Sequence, residues 1–126
     1  MYDLIDRPVA ELPHADHRLL AATRAWVHQL TIAGEASPAA AAESLGRGSA
    51  AFDAAMRALD EGSSETLVFQ RPCHATVSET EAMWLAVWRL VRADRLGHAK
   101  GALGALADEA AVPAVLAALV RAAAKV

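Results

Sequence analysis

The chain has 126 residues, of which 55% are hydrophobic and 5% aromatic, and its formal net charge is −3. This hydrophobic fraction excludes a disordered chain and suffices for one core, while the length is too short for two ordinary domains. The acidic balance disfavours a large nucleic-acid surface. Because alanine is abundant and aromatic residues are scarce, the composition favours closely packed helices over strands.

Membrane insertion and secretion are both disfavoured by the sequence. No apolar run approaches the roughly 18 residues of a membrane span, and the closest, 112–120, ends at Arg121. Residues 1–7 carry acids where a signal peptide has basic residues and a long apolar stretch. The single cysteine excludes an internal disulfide. We therefore expect a cytoplasmic protein.

Residues 1–14 predict an irregular N-terminal arm, followed by a single helical domain over 15–126. Pro8 and Pro13 each hold the preceding residue in extended geometry. The arm is too apolar to be free in solvent, because it carries Tyr2, Leu4, Ile5, Val9 and Leu12. We expect it to lie on the body of the protein or on a second subunit.

Apolar residues at three- and four-residue steps predict three helices in the first half of the domain: 16–33, 38–45 and 49–61. Gly34 is a typical residue for the end of the first helix. Ser37 followed by Pro38 predicts an N-cap and a first helical position for the second helix. Ser49 is expected to cap the third.

One segment has strand character. Leu67, Val68 and Phe69 predict a short strand around residues 65–70. Because a lone strand leaves its backbone groups unpaired, it needs a partner. The candidates are the N-terminal arm and the same segment of a second subunit.

A capping box predicts the start of the most apolar helix, 78–96, with Ser78 as N-cap and Glu81 at the third helical position. Two more helices are expected after it: 98–110 and 113–125. Three tryptophans occur at helical core spacing and are expected in the core: Trp26, Trp84 and Trp88. The sequence thus predicts an all-α fold, a compact five- to six-helix bundle with one short strand, built around helix 78–96.

A thiol and an imidazole are adjacent in the turn before that helix, at Cys73 and His74. Such a pair can supply a nucleophile with its base or half of a zinc site, and a helix N-terminus lowers the pKa of a thiol. Glu79 is the carboxylate that would join them. However, adjacent residues in an extended segment point to opposite sides, and the other histidines show no ligand spacing. No cofactor is predicted, and zinc binding is kept as an alternative.

Residues 38–61 match the size of a helix-turn-helix, with two short helices and a three-residue turn. Under this hypothesis, Arg47 and Arg57 are the side chains that would contact DNA. The second helix, however, carries three acids: Asp53, Asp60 and Glu61. Phosphate contacts need more cations than this, so DNA binding is disfavoured.

The order of elements also carries a resemblance. Leu12-Pro13-His14 precedes a long amphipathic helix, which is followed by two shorter helices, a brief strand, a Pro-Cys turn and the capped helix at Ser78. Over roughly residues 12–92 this order resembles a small alphaproteobacterial family of helical proteins of unknown function, whose members carry a Pro-Cys-Cys turn. His74 departs from that run of cysteines, which weakens any inference of metal binding. The family has no assigned activity to carry over.

The sequence favours a non-enzymatic interaction or regulatory module that acts as a homodimer. No phosphate-binding loop, dinucleotide fingerprint or nucleophile elbow is present, while the apolar arm and the lone strand both call for a partner. Self-association is expected, and another protein partner is compatible with the sequence. Two alternatives stay open: a metal- or redox-linked protein that uses the Cys73-His74 turn, and DNA binding through residues 38–61.

Overall fold

The computed structural model describes residues 3–63 and 67–126. Within them the chain forms six α-helices: α1 His14–Ala33, α2 Ala39–Leu45, α3 Ser49–Gly62, α4 Glu79–Arg92, α5 Leu96–Leu103 and α6 Val112–Ala123. Two 3-10 helices lie at Val9–Glu11 and Gly46–Gly48. The all-α prediction is confirmed. None of these helices is long and apolar enough to cross a membrane.

The predicted strand around 65–70 is wrong for the residues that the structure describes. Residues 67–70 pair with no strand, and 65 and 66 lie outside the described residues. The reason is that backbone groups of this segment find side-chain partners near the start of α4. The amide of Gln70 donates to Glu81 Oε2 at 3.0 Å, and the hydroxyl of Ser78 donates to the carbonyl of Val68 at 3.4 Å.

The N-terminal arm lies on the body of its own chain. Three backbone hydrogen bonds tie it to residues 75–77: Asp6 N–H to Val77 C=O at 2.9 Å, Val77 N–H to Arg7 C=O at 3.0 Å, and Val9 N–H to Ala75 C=O at 2.8 Å. Leu4 and Leu12 are buried in the core, while Tyr2 lies outside the described residues. Helix α1 begins at His14, so the arm ends one residue earlier than predicted.

Helix α4 packs against α1, α5 and α6, while α3 packs chiefly on α6 and α2 on α1. The three tryptophans are buried, as predicted. Two of their indole N–H groups donate to buried partners: Trp84 to Thr23 Oγ1 at 3.0 Å and Trp26 to Asp53 Oδ1 at 2.8 Å. The indole nitrogen of Trp88 has no hydrogen-bond partner among the described residues.

Helix starts follow the sequence only in part. The capping box is confirmed, because Ser78 Oγ accepts the amide of Glu81 at 3.2 Å and Glu81 Oε1 accepts the amide of Ser78 at 3.0 Å. The caps predicted at Ser37 and Ser49 are wrong, since neither α2 nor α3 has a side-chain cap. The amide of Ser37 instead donates to Oε1 of Gln29 on α1, at 3.0 Å.

Helix ends depend on left-handed residues. Gly34, with φ of 79°, ends α1 as predicted. The predicted helix 78–96 is broken after Arg92, because Asp94 has φ of 59°, a region that Asp tolerates better than most residues. Leu96 therefore starts a separate helix, α5. The last two helices are shorter than the predicted 98–110 and 113–125.

Candidate functional site

A buried ion pair joins α1 to the start of α4. Arg24 is 2% exposed and Glu81 is fully buried. The guanidinium donates from Nε to Glu81 Oε2 and from Nη2 to Glu81 Oε1, both at 2.8 Å. Two parallel bonds of this kind are the strongest geometry for an arginine–carboxylate pair.

The same pair holds the turn that carries Cys73. Arg24 Nη1 donates to the carbonyl of His74 at 2.7 Å, and Nη2 donates to the carbonyl of Thr76 at 2.9 Å. Glu81 accepts the amide of Gln70 on the other side of the turn. The residues from 70 to 78 are thus fixed at both ends by two charges that face each other inside the bundle.

The environment of Glu81 favours its ionised form. Burial raises the pKa of this carboxyl, but the hydrogen bond from Arg24 and the backbone amides of Ser78 and Gln70 act in the opposite direction. The net result is a pKa below the ordinary value of 4.5. Arg24 and Glu81 are therefore a charged pair, and their hydrogen bonds are made to each other and to the backbone of the protein. This indicates a structural role.

Cys73 and His74 are both exposed at the outer edge of this turn. The imidazole Nε2 of His74 lies 3.4 Å from the hydroxyl of Thr76, and Glu79 is exposed at the first position of α4. Among the described residues, no three His, Cys, Asp or Glu side chains are grouped so that they could hold a metal ion. The metal or redox role of Cys73, His74 and Glu79 stays a prediction.

The two arginines of the DNA-binding hypothesis differ in their surroundings. Arg47 is exposed in the turn between α2 and α3. Arg57 donates from Nε to Asp53 Oδ2 at 2.8 Å and from Nη2 to the carbonyl of Ala36. The hydrogen bond to Asp53 raises the pKa of Arg57 further above its ordinary value. With Arg57 held by an acid of its own helix, α3 offers little positive charge to a phosphate, and DNA binding stays an untested prediction.

An open groove of about 470 Å³ runs between α5 and α6. We call it the α5–α6 surface, and its lining residues are Leu96, Lys100, Pro113, Leu116, Ala117, Val120 and Arg121. Five of these side chains are apolar, and the other two are the cations Lys100 and Arg121. Ile32 and Val68 are also exposed, but single exposed apolar side chains are ordinary on protein surfaces.

Helix α6 explains why this surface is apolar. Arg121 is the only polar side chain in its sequence, VPAVLAALVRAA. One face is buried in the core: Val112, Val115, Ala118, Leu119 and Ala122. The opposite face is exposed or half-buried: Pro113, Leu116, Ala117 and Val120. A helix that is apolar on all sides is normally buried on all sides, whereas this face of α6 is exposed or half-buried.

Sequence reasoning missed both Arg24 and the α5–α6 surface. A charged residue such as Arg24 gives no local sign that it is buried, and no local pattern shows that its partner lies 57 positions further along the chain. A signal for the surface was present, since residues 112–120 contain no polar side chain. A surface helix with a single buried face normally carries polar residues at its outward positions, and this segment has none.

Searches against family models, curated proteins and solved structures gave no match for this chain. The resemblance to an alphaproteobacterial family stays a prediction.

Proposed function

We propose that this protein is a non-enzymatic interaction module that forms a homodimer through the α5–α6 surface. The observation that carries the proposal is the outward face of α6, where apolar side chains line an open groove on a helix with a single polar residue. Burying that face removes apolar area from water, which is the main favourable term in protein association.

This proposal places the dimer interface at the α5–α6 surface and not at the N-terminal arm or the predicted strand, on which the sequence-based expectation of a dimer rested. The N-terminal arm pairs with residues 75–77 of its own chain. The extended residues 67–70 are held by Glu81 and Ser78. Because both segments bind their own chain, we assign self-association to a different part of the molecule.

The buried charged groups support a non-enzymatic role. Arg24 is paired with Glu81, Asp16 accepts two hydrogen bonds from Arg89, and Asp53 accepts from Trp26 and Arg57. The Arg24–Glu81, Arg89–Asp16 and Trp26–Asp53 contacts each join two different helices, whereas Arg57 lies on the same helix as Asp53. The exposed thiol of Cys73 fits a reducing compartment, in line with the cytoplasmic location that is part of this proposal.

Sedimentation equilibrium under reducing conditions tests the proposal, because reduction prevents disulfides between exposed Cys73 side chains. Ala117→Glu places a charge on the exposed centre of the outward face of α6, whereas Ala42→Glu makes the same change at an exposed position of α2. We expect the parent chain and the Ala42→Glu chain to sediment as dimers of a 13.2 kDa chain and the Ala117→Glu chain as a monomer.

Thermal unfolding separates loss of assembly from loss of fold. Both substituted positions are exposed in helices, so the isolated subunit should stay folded in each variant. A parent chain that is monomeric at every concentration overturns the proposal. A dimer that Ala117→Glu and Ala42→Glu weaken equally overturns the assignment of the interface to the α5–α6 surface.

A further inference from the structure

The charges of α6 and of the residues next to it in the chain are divided between its two ends, while Lys100 of α5 lines the same groove. Asp108 and Glu109 precede its first residue, and Arg121 and Lys125 lie at its last turn and just beyond. All four side chains are exposed. Between them the outward face carries no charge, so the helix presents an acidic end, an apolar middle and a basic end.

We propose that two copies of this chain pack α6 against α6 in antiparallel orientation, about a two-fold axis that passes near Ala117. This inference rests on the proposed homodimer and specifies its geometry. In such a pair a residue a given number of positions after Ala117 faces the residue the same number before it, in both directions. Arg121 of one copy then faces Pro113 of the other.

The antiparallel register joins opposite charges at both ends of the interface. Asp108 and Glu109 lie in the segment that leads into α6, so in an antiparallel pair this acidic segment of one copy lies toward Arg121 at the basic end of α6 in the other. Lys125, just beyond the last turn of α6, lies toward the same acidic segment of the other copy. Because of the two-fold symmetry, each attraction occurs twice.

A parallel pair would have the opposite electrostatics. Arg121 of one copy would lie beside Arg121 of the other, and Glu109 beside Glu109. The two helix dipoles would also point in the same direction. Like charges placed across an interface are unfavourable, so the charge pattern selects the antiparallel arrangement. Alanines at 114 and 117 on the outward side, both exposed, leave room for the two helices to approach closely.

A charge exchange between two chains tests the register. In the antiparallel dimer, R121E places glutamate opposite Glu109 in both halves of its homodimer, and E109K places lysine opposite Arg121 in both halves. We expect each variant alone to dimerise at least about tenfold more weakly than the parent, a loss of about 1.4 kcal/mol. An equimolar mixture should dimerise more tightly than either variant alone, because in the mixed dimer each side chain at position 121 is matched by an opposite charge at position 109 of the other chain.

The outcomes separate this inference from the proposed function. A dimer that Ala117→Glu dissociates, but in which the R121E and E109K mixture gains no affinity over either variant, overturns the antiparallel register and leaves the interface in place. A parent chain that does not dimerise overturns both. In that case the α5–α6 surface would bind a different protein. Circular dichroism of each variant checks that these exposed substitutions leave the helices intact.

Discussion

Arg24 and Glu81 meet inside the bundle from positions 57 apart in the chain, with two nitrogen–oxygen distances of 2.8 Å. Each charge also holds the backbone of the turn between them, since Arg24 binds the carbonyls of His74 and Thr76 and Glu81 binds the amide of Gln70. One ion pair therefore fixes α1, the start of α4 and the turn that presents Cys73.

Removal of one member of this pair should be costly. Arg24→Met keeps an apolar side chain of similar length but leaves the carboxylate of Glu81 buried without its counter-ion. We expect a loss of about 3–5 kcal/mol in the free energy of unfolding, measured by urea denaturation at pH 7. Arg92→Met is the matched control, because Arg92 is exposed at the end of α4. Equal and small losses in both variants would show that the pair contributes little.

Acid sensitivity should follow the ionisation of Glu81. Its pKa is lower in the folded state than its ordinary value, which the unfolded chain has, so the folded state binds fewer protons. The stability that the carboxylate contributes is fully present above the unfolded-state pKa and is lost as the pH falls through the folded-state pKa. Glu81→Gln should therefore be less stable at pH 7 and should depend less on pH below 5. Urea unfolding from pH 7 to pH 3 measures both, and an unchanged acid slope in this variant would contradict the assignment.

Asp53 supports the core through the indole of Trp26. Asp53→Ala leaves the buried Nε1–H of Trp26 without its 2.8 Å acceptor, and we expect a loss of about 1–3 kcal/mol in the free energy of unfolding. Arg57→Ala removes the other partner of Asp53 but should cost less, because the side chain of Arg57 is 51% exposed. Equal losses from the two substitutions in chemical denaturation would argue that the indole bond is unimportant.

Gly62 ends α3 where another part of the chain comes close. A Cβ built on Gly62 would overlap the Cβ of Ala111, so a side chain does not fit without a shift of backbone. We expect Gly62→Ala to destabilise the fold by about 1–3 kcal/mol and Ala111→Gly to restore part of that loss in the double variant. Gly97→Ala, where a Cβ meets nothing within 4 Å, should be neutral or stabilising. Differential scanning calorimetry can rank these variants, and a Gly62→Ala chain as stable as the parent would refute the contact.

The elements that depend on local signals could be predicted from the sequence. The capping box at Ser78 and Glu81 placed the start of α4, and Gly34 placed the end of α1. Tryptophan spacing identified core residues correctly. Such signals succeed because caps and apolar periodicity act within a few positions of the chain.

The features that depend on distant partners could not be predicted in this way. The strand expected at Leu67, Val68 and Phe69 followed from side-chain type, yet the described part of this segment is held by Ser78 and Glu81 instead of a neighbouring strand. The buried position of Arg24 depends on that same carboxylate. The break after α4 depends on the left-handed backbone conformation of Asp94, which could not be predicted from the residue type alone.

Cysteine cross-linking tests the α6 interface most directly. In a Cys73→Ser background, Ala117→Cys places a thiol next to the proposed two-fold axis, so that it faces its own copy, whereas Ala42→Cys places one on α2. A disulfide requires Cα atoms roughly 4.4–6.8 Å apart. Under mild oxidation, we predict rapid and nearly complete conversion of the Ala117→Cys chain to a covalent dimer, and little conversion of the Ala42→Cys chain. Equal conversion of both chains, or a reduced dimer that Ala117→Cys fails to cross-link, would contradict the antiparallel α6 interface.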